Sequence, residues 1–282
     1  MRSLLQSCSG FEAGRSLDGV LVVDRAGGRS VLRRQQIGYP LHITRGFYLD
    51  AARPDLLTLY LQSASGGLYA GDRIKLDVCV GALAAFHMTT QAATVVHDGR
   101  ARGAVQRQAV TVEEGAFCAL TSDPYVLFPG ADLTLETEAV VAEDAVLCLA
   151  DGFAVHDPEA KARPFAGFES RLSVSRPDGR LLVKDIGAID GDGMRNVALG
   201  QMAAVANFVL IAPPDRLPTL ADLEQASSRC GALAGCSLAP NGAGLVSRIL
   251  APDGGVLARA LDAVFHVAAH AALGAPLARR RK

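Results

Sequence analysis

Asp72 is the first residue in this chain whose surroundings suggest chemistry, because it follows directly on Gly66, Gly67 and Gly71. Three glycines within six positions predict a tight backbone path with positive φ, or a close approach by another backbone. A carboxylate beside such a turn can bond the turn backbone, act as an acid–base group, or line a polar channel. The residue types leave all three roles open.

A second group, Asp151, His156 and Asp157, lies within seven residues. A histidine beside two carboxylates can transfer protons or bind a cation. The same residues also occur in ordinary loops, where they only satisfy hydrogen bonds, and that structural role is the alternative here.

Two weaker candidates complete the set. Thr89, Thr90 and Gln91 end an apolar segment and could face a cavity, although threonine is also an ordinary strand residue. His266 and His270 are four apart on a predicted helix and would share one face, which permits a weak metal site. No third ligand is recognised for this pair, so we expect no tightly bound metal there.

The elements that position these residues are mainly strands. Ile74, Leu76, Val78 and Val80 alternate with Lys75, Asp77 and Cys79, and this period of two predicts a strand with one buried face. Hairpins are predicted where short apolar runs flank turn residues, and a strand at 57–61 leads into the glycine turn. Residues 187–193 are predicted to form a loop.

A strand–turn–strand unit recurs about every thirty residues, at 76–86, 110–120 and 135–149. Such a period indicates stacked units that bury each other's apolar faces, as in a β-solenoid or layered sheets. A plain antiparallel sandwich is the alternative. The predicted fold is therefore mainly β and β-helical, with a few helices, two of them in the C-terminal third. We expect one domain over residues 1–282.

One of those helices is predicted from a cap and the other from its periodicity. Thr219 would cap a helix from Leu220 to about Cys230, and an alanine-rich helix is expected from Leu257 to Leu273. We expect the second helix to contribute an exposed apolar patch that a partner covers.

Composition excludes several classes of function. The net charge of 282 residues is −1 and aromatic residues make up 5%, which argues against binding nucleic acid or an acidic membrane. The basic run at 279–282 is expected to be a solvated tail. No secretory signal is recognisable in residues 1–10, so a cytoplasmic location is expected.

The chain has six cysteines and no C-x-x-C pair: Cys8, Cys79, Cys118, Cys148, Cys230 and Cys236. In a chain this long, we expect no disulfide framework.

With these motifs in view, the chain resembles the urease accessory protein family UreD, also called UreH. The specific match is Gly-Gly-Leu-Tyr-Ala-Gly-Asp-Arg from Gly66, coupled to Thr-Thr-Gln-Ala-Ala-Thr from Thr89. Supporting matches lie at 39–42, 123–128, 150–158 and 163–165. The similarity is clear over 19–191 and looser beyond.

The resemblance implies a non-enzymatic maturation factor with a largely β, right-handed β-helical fold. Members are expected to bind apo-urease and to recruit UreF, which docks UreG, so that nickel reaches the urease active site. Nickel would be transient cargo rather than a tightly bound cofactor. If nickel passes through the chain, inward polar groups are the candidates: Asp72, Thr89, Thr90, Gln91, Asp151 and His156.

Two departures from the family pattern affect these expectations. Val95 and His97 stand where the family commonly has lysine and tyrosine, and Ala119 and Leu120 replace an acidic residue and a tryptophan. Roles of those family side chains do not transfer. Two other functions remain open: a polysaccharide-active β-solenoid enzyme using Asp72, Asp151 and His156, and a β-scaffold that only binds partners.

Overall fold

The computed structural model describes residues 14–100, 102–196 and 201–280. Its strands are β1 Ser16–Ala26, β2 Arg29–Gln36, β3 Leu41–Ile43, β4 Leu57–Ser63, β5 Arg73–Val80, β6 Ala85–Thr90, β7 Val95–Val96, β8 Ala104–Val112, β9 Phe117–Thr121, β10 Tyr125–Leu127, β11 Asp132–Val141, β12 Val146–Val155, β13 Gly167–Ser175, β14 Leu181–Ile189, β15 Ala204–Ile211, β16 Leu233–Leu238 and β17 Gly244–Ala251. The helices are α1 Gly191–Asn196, α2 Leu220–Arg229 and α3 Gly254–Leu273.

The strands form two sheets. A seven-stranded sheet has the order β14-β13-β11-β8-β5-β1-β2. A ten-stranded sheet runs β16-β17-β15-β12-β9-β6-β4-β3, with β10 and β7 paired beside β12. The chain passes from one sheet to the other within each predicted repeat, so the two arms of a unit never pair with each other.

Stacking of the repeats confirms the β-solenoid prediction. In the seven-stranded sheet Val78 pairs with Val110, and Val110 with Ala139, all in parallel strands. In the other sheet Cys118 pairs with both Phe86 and Leu147, again in parallel. Identical positions of successive repeats thus lie above one another, and a plain antiparallel sandwich is ruled out.

The main core lies between the two sheets. Along β5, Ile74, Leu76, Val78 and Val80 are at most 2% exposed, whereas Lys75 is exposed, as the alternation predicts. Each such side chain stabilises the fold by roughly 1.5–3 kcal/mol relative to exposure. Cys118 and Cys148 are buried in the strands as expected, and no disulfide occurs in the described part of the chain; Cys8 lies outside it.

Hairpins β1–β2 and β13–β14 close the seven-stranded sheet at its two ends and confirm their prediction. The prediction of a loop at 187–193 is wrong. Strand β14 continues to Ile189, and the Asp190 carboxylate accepts a hydrogen bond from Gly193 N as α1 begins. The two aspartates of this segment therefore start a helical turn.

Helices α2 and α3 cover the outer face of the ten-stranded sheet. Thr219 Oγ1 accepts from Asp222 N and caps α2, as predicted. Asp253 caps α3 through Val256 N, and Gly274 ends it with a φ of 65°. The Thr219 and Asp253 side chains thus accept hydrogen bonds from backbone N–H groups that the start of a helix leaves without a partner.

The prediction of an exposed apolar patch on α3 is wrong. Leu257, Leu261 and Val264 are buried against the sheet, in a second core that includes Phe208 and Ile249. By length and composition α3 could cross a membrane. Its burial is that of a core helix, because the chain itself covers the apolar stripe.

Strand β16 is the outer edge of the ten-stranded sheet, and β17 is its one partner among the described strands. Leu233 and Leu238 are 58% and 67% exposed along this edge. Glu224 of α2 accepts a hydrogen bond from Cys236 N at 3.1 Å. A side chain therefore occupies one backbone donor of the edge.

Candidate functional site: a glycine turn and an interior polar cavity

The glycine turn is held by its own backbone. Gly66, Gly67 and Gly71 have φ values of 79°, 132° and 78°. A Cβ at Gly67 would lie 2.2 Å from the Val95 carbonyl oxygen, which accepts a hydrogen bond from Leu68 N at 2.8 Å. Both features that the glycine spacing predicts are present, since the φ values are positive and a second backbone strand lies against the turn.

Asp72 fastens this turn to the N-terminal strand. Its Oδ1 accepts from Arg15 N and Nε, both at 3.0 Å, and its Oδ2 accepts from Tyr69 N at 2.9 Å and pairs with the Arg15 guanidinium. Burial by itself would raise the pKa of Asp72, but these hydrogen bonds outweigh it and lower the pKa below its ordinary value. All four acceptor positions are occupied, so the carboxylate has a structural role.

A row of rings extends from this turn over the surface. Arg15 lies 4.8 Å from the ring of Tyr69, which stacks on His97 at 4.3 Å. Phe128 follows at 5.5 Å from His97, and His156 at 5.7 Å from Phe128. Arg15, Tyr69, His97 and Phe128 line a shallow depression of about 870 Å³, and His156 lies beside it, next to Phe128. His156 is exposed and belongs with this rim rather than with Asp151.

Asp151 lies in the interior, on the face of β12 turned toward the seven-stranded sheet. Ser170 Oγ donates to it at 2.5 Å and Asn207 Nδ2 at 3.0 Å. Arg248 then donates to Asn207 Oδ1 at 2.9 Å and to Asp185 Oδ1 at 2.6 Å. The strands β12, β13, β14, β15 and β17 thus contribute to one polar network.

The network borders a cavity of about 50 Å³ between the sheets. Tyr125 closes one side, and its hydroxyl donates to Gln106 Oε1 at 2.7 Å. A volume of this size holds a few water molecules or a partly hydrated cation. Its polar lining consists of oxygen and amide groups: Gln106, Gln108, Ser122, Asp123, Tyr125, Thr137, Asp151, Asp185 and Asn207.

The two aspartates differ in electrostatics. Burial raises the pKa of Asp151, and the hydrogen bonds from Ser170 and Asn207 only partly offset this. Burial also raises the pKa of Tyr125, which therefore stays a neutral donor. A carboxylate held by neutral donors gains from any cation that reaches it.

Thr89, Thr90 and Gln91 do not form one polar surface. Thr89 Oγ1 donates to the Thr121 carbonyl at 2.9 Å on the side of the sheet that faces α3. Thr90 Oγ1 accepts from Asp123 N at 2.9 Å at the edge of the cavity, and Gln91 is exposed. Successive strand residues point to opposite faces, so neighbouring residues cannot share a wall.

The sequence interpretation missed Ser170, Asp185, Asn207 and Arg248. One signal was available, because Asn207 is the only strongly polar residue in the apolar run 202–211. The others occur in alternating strands, where a polar residue on the buried face looks like one on the exposed face until the register is known.

Comparison with known proteins identifies the family of this chain. The family model "UreD urease accessory protein" matches residues 18–282. The chain belongs to the UreD family. Urease accessory protein UreD 3 of Bradyrhizobium sp. (strain ORS 278) is 70% identical over 282 residues, which is all of both chains. UreD 1 of Methylorubrum extorquens (strain PA1) is 43% identical, over 95% of this chain and 92% of its own length.

The departures from the UreD family pattern occupy ordinary structural positions. Val95 supplies the carbonyl that contacts the glycine turn, and His97 stacks on Tyr69 with its Nε2 3.1 Å from the Gly66 carbonyl oxygen. Ala119 is buried toward α3 and Leu120 toward the other sheet. All four side chains are therefore accommodated by packing in this UreD chain.

His266 and His270, the weak metal candidates, do not converge on a site. His266 is half-buried, and its Nδ1 lies 2.7 Å from the Asp262 carbonyl oxygen, whereas His270 is exposed. Over the described ranges no three His, Cys, Asp or Glu side chains group as metal ligands.

An enzyme site built from Asp72, Asp151 and His156 has no geometric support. Asp72 is paired with Arg15, Asp151 bonds Ser170 and Asn207 inside the molecule, and His156 lies on the outer rim. General acid–base catalysis needs such groups within reach of one substrate atom. The separation favours the accessory role that the UreD family name carries.

Proposed function

We propose that this chain is a urease maturation factor that binds apo-urease and supports nickel insertion by letting the ion pass through the interior cavity. It also recruits UreF and, through UreF, UreG. It works in the cytoplasm, without nucleic acid or membrane. The observation that supports the nickel path is the oxygen-lined cavity at Asp151 in a member of the UreD family.

The lining suits an ion that must leave again. Carboxylate, amide and hydroxyl oxygens bind a borderline divalent ion more weakly than thiolates or clustered imidazoles do. The carboxylates of Asp151 and Asp185 offset the water molecules that the nickel ion loses on entering the cavity. Arg248 pairs with Asp185 and so limits the net negative charge of the lining. Nickel is therefore cargo that the cavity lets through.

Asp72 contributes differently to the same function. It fixes the glycine turn at the rim, and the turn in turn positions Tyr69 and His97. The rim is where we place an opening of the path, since the depression there exposes polar and aromatic side chains.

The test is co-purification followed by activation. The tagged chain is expressed with the urease subunits, UreF and UreG of the same source, and urease activity is measured with nickel supplied. We expect the chain to retain apo-urease and UreF, and urease to depend on its presence. The Asp151→Asn variant should retain the partners but lower activation about ten-fold.

The matched control is Asp178→Asn, which changes an exposed aspartate in the β13–β14 turn. It should activate urease like the parent. If Asp151→Asn also activates fully, the chain acts as a scaffold without a nickel path. If neither partner is retained, the maturation role itself is wrong.

A further inference from the structure

A groove crosses the outer face of the molecule between α2, α3 and the final described segment. Its volume is about 640 Å³, within the range of protein ligand sites. Four arginines line it: Arg229 at the end of α2, Arg259 on α3, and Arg279 and Arg280 after α3. Three separate segments of the chain thus bring cationic side chains to one place.

Arg280 is packed into one side of this groove, so the expectation of a solvated basic tail is wrong for it. Its side chain is 7% exposed, lies 5.0 Å over the Phe265 ring, and donates to Asp262 Oδ1 at 3.2 Å. It also contacts His87 and Thr121 of the sheet. Its Nε is buried and has no acceptor in the described structure.

The other three arginines are exposed and unpaired. Arg229, Arg259 and Arg279 have no carboxylate within 4.0 Å among the described residues. Arginines on the seven-stranded sheet behave differently, since Arg107 and Arg171 both pair with Glu136. The groove therefore presents guanidinium groups that the chain itself does not neutralise.

The carboxylates at the groove do not balance these charges. Among the described residues, the carboxylates that line it are Asp123 and Asp262, and Asp262 already pairs with Arg280 and lies 3.4 Å from His266 Nδ1. Between the arginines the walls are apolar: Ala226, Ala258, Leu261 and Val267. The surface is a cationic groove with an apolar base, on a chain whose net charge is −1.

We propose that this groove docks an acidic segment of a partner protein. Guanidinium groups pair bidentately with carboxylates, and the apolar base accepts the methylene groups of glutamate side chains. A nucleic acid fits less well, because the only Phe, Tyr or Trp ring in the lining is Phe265, which lies under Arg280. Docking here is separate from the nickel path.

The test uses a fluorescein-labelled hexaglutamate peptide and fluorescence anisotropy on the full chain. We expect measurable binding that weakens as sodium chloride rises. The double variant Arg259→Glu/Arg279→Glu should raise Kd about ten-fold or more. A matched double variant with the same charge change, Arg34→Glu/Arg45→Glu on other exposed arginines, should stay within about two-fold of the parent.

Circular dichroism melting shows whether each variant is folded. If Arg259→Glu/Arg279→Glu is unfolded, the binding measurement is repeated with Arg259→Gln/Arg279→Gln. Equal loss of binding in both double variants would reduce the effect to net charge and overturn the proposal. Tighter binding of hexauridylate than of hexaglutamate would overturn it as well. Because no urease component is present, a failure here leaves the maturation role untouched.

Discussion

Asp72, directly before β5, and Asp151, in β12, are both buried aspartates, yet their surroundings shift their pKa values in opposite directions. At the rim a guanidinium and two backbone N–H groups hold Asp72 and lower its pKa. In the interior, burial raises the pKa of Asp151, because its donors are a hydroxyl and an amide.

The opposite pKa shifts indicate that Asp72 contributes to stability and that Asp151 is available for a ligand. A fully paired carboxylate stabilises the fold and has no capacity left for a ligand. A carboxylate held by neutral donors lowers stability at neutral pH and is kept available for a cation. Variants that change one of the two sites at a time test this difference.

The largest effect is expected from Asp72→Ala. It leaves Arg15 without its partner and removes an acceptor from Tyr69 N, so the free energy of unfolding should fall by about 3 kcal/mol. Urea denaturation followed by circular dichroism measures this. The control is Asp77→Ala on the strand that follows Asp72, whose pair with Lys75 is 34–51% exposed and should contribute at most about 1 kcal/mol.

If Asp72→Ala is as stable as Asp77→Ala, the rim carboxylate is not the structural anchor described. If it is folded and urease activation is unchanged, Asp72 has no part in the nickel path.

Gly67→Ala tests the rim backbone and should cost about 2 kcal/mol. The new methyl group meets the Val95 carbonyl oxygen and displaces the hydrogen bond from Leu68 N. Gly28→Ala is the control, since Gly28 also has a positive φ of 80° but open space around it. It should cost about 1 kcal/mol. Thermal melting compares the two, and equal losses would contradict the close approach at Gly67.

Asp151→Asn should change stability in the opposite direction from Asp72→Ala. Removing a buried charge whose donors are neutral is expected to raise the free energy of unfolding by about 1 kcal/mol at pH 7. Nickel-dependent urease activation should fall at the same time. A variant that is destabilised and fully active would contradict the assignment of Asp151 to a ligand-accessible cavity.

The pH dependence should have opposite signs at the two sites. The pKa of Asp72 is lowered on folding, so its contribution is present above the unfolded pKa of about 3.9 and is lost as pH falls through the folded pKa. The pKa of Asp151 is raised, so its destabilisation appears as pH rises from about 3.9 through the folded pKa.

Urea midpoints of the parent, Asp72→Asn and Asp151→Asn between pH 7 and pH 2.5 measure this difference. The deficit of Asp72→Asn and the advantage of Asp151→Asn should both shrink toward acid pH. Deviations of the same sign at pH 7 would show that the two sites do not differ as described.

The sequence predicted the architecture because local patterns encode it. Alternation along β5 identified a half-buried strand, and the recurrence of such units indicated stacking. The Thr219 cap marks where α2 begins, and periodicity indicated α3, which starts at Gly254 rather than at the expected Leu257. These features depend on residues close together in the chain.

The interior site was only partly predictable because its members come from distant strands. Asp151 was identified, but Asp185, Asn207 and Arg248 join it only through strand order and register. Arg280 is a similar case, since a terminal basic run gives no sign that one guanidinium packs between Phe265 and His87. Tertiary packing decides both, and no periodicity records it.

The exposed edge strand β16 affects whether the protein aggregates at high concentration. An exposed strand with leucines near both ends is a template on which a further chain can add, and such addition propagates into insoluble fibres. Glu224 occupies Cys236 N in the middle of β16, so an incoming strand would have to displace an anion before it could pair. One helix side chain thus protects the edge of the sheet from polymerisation.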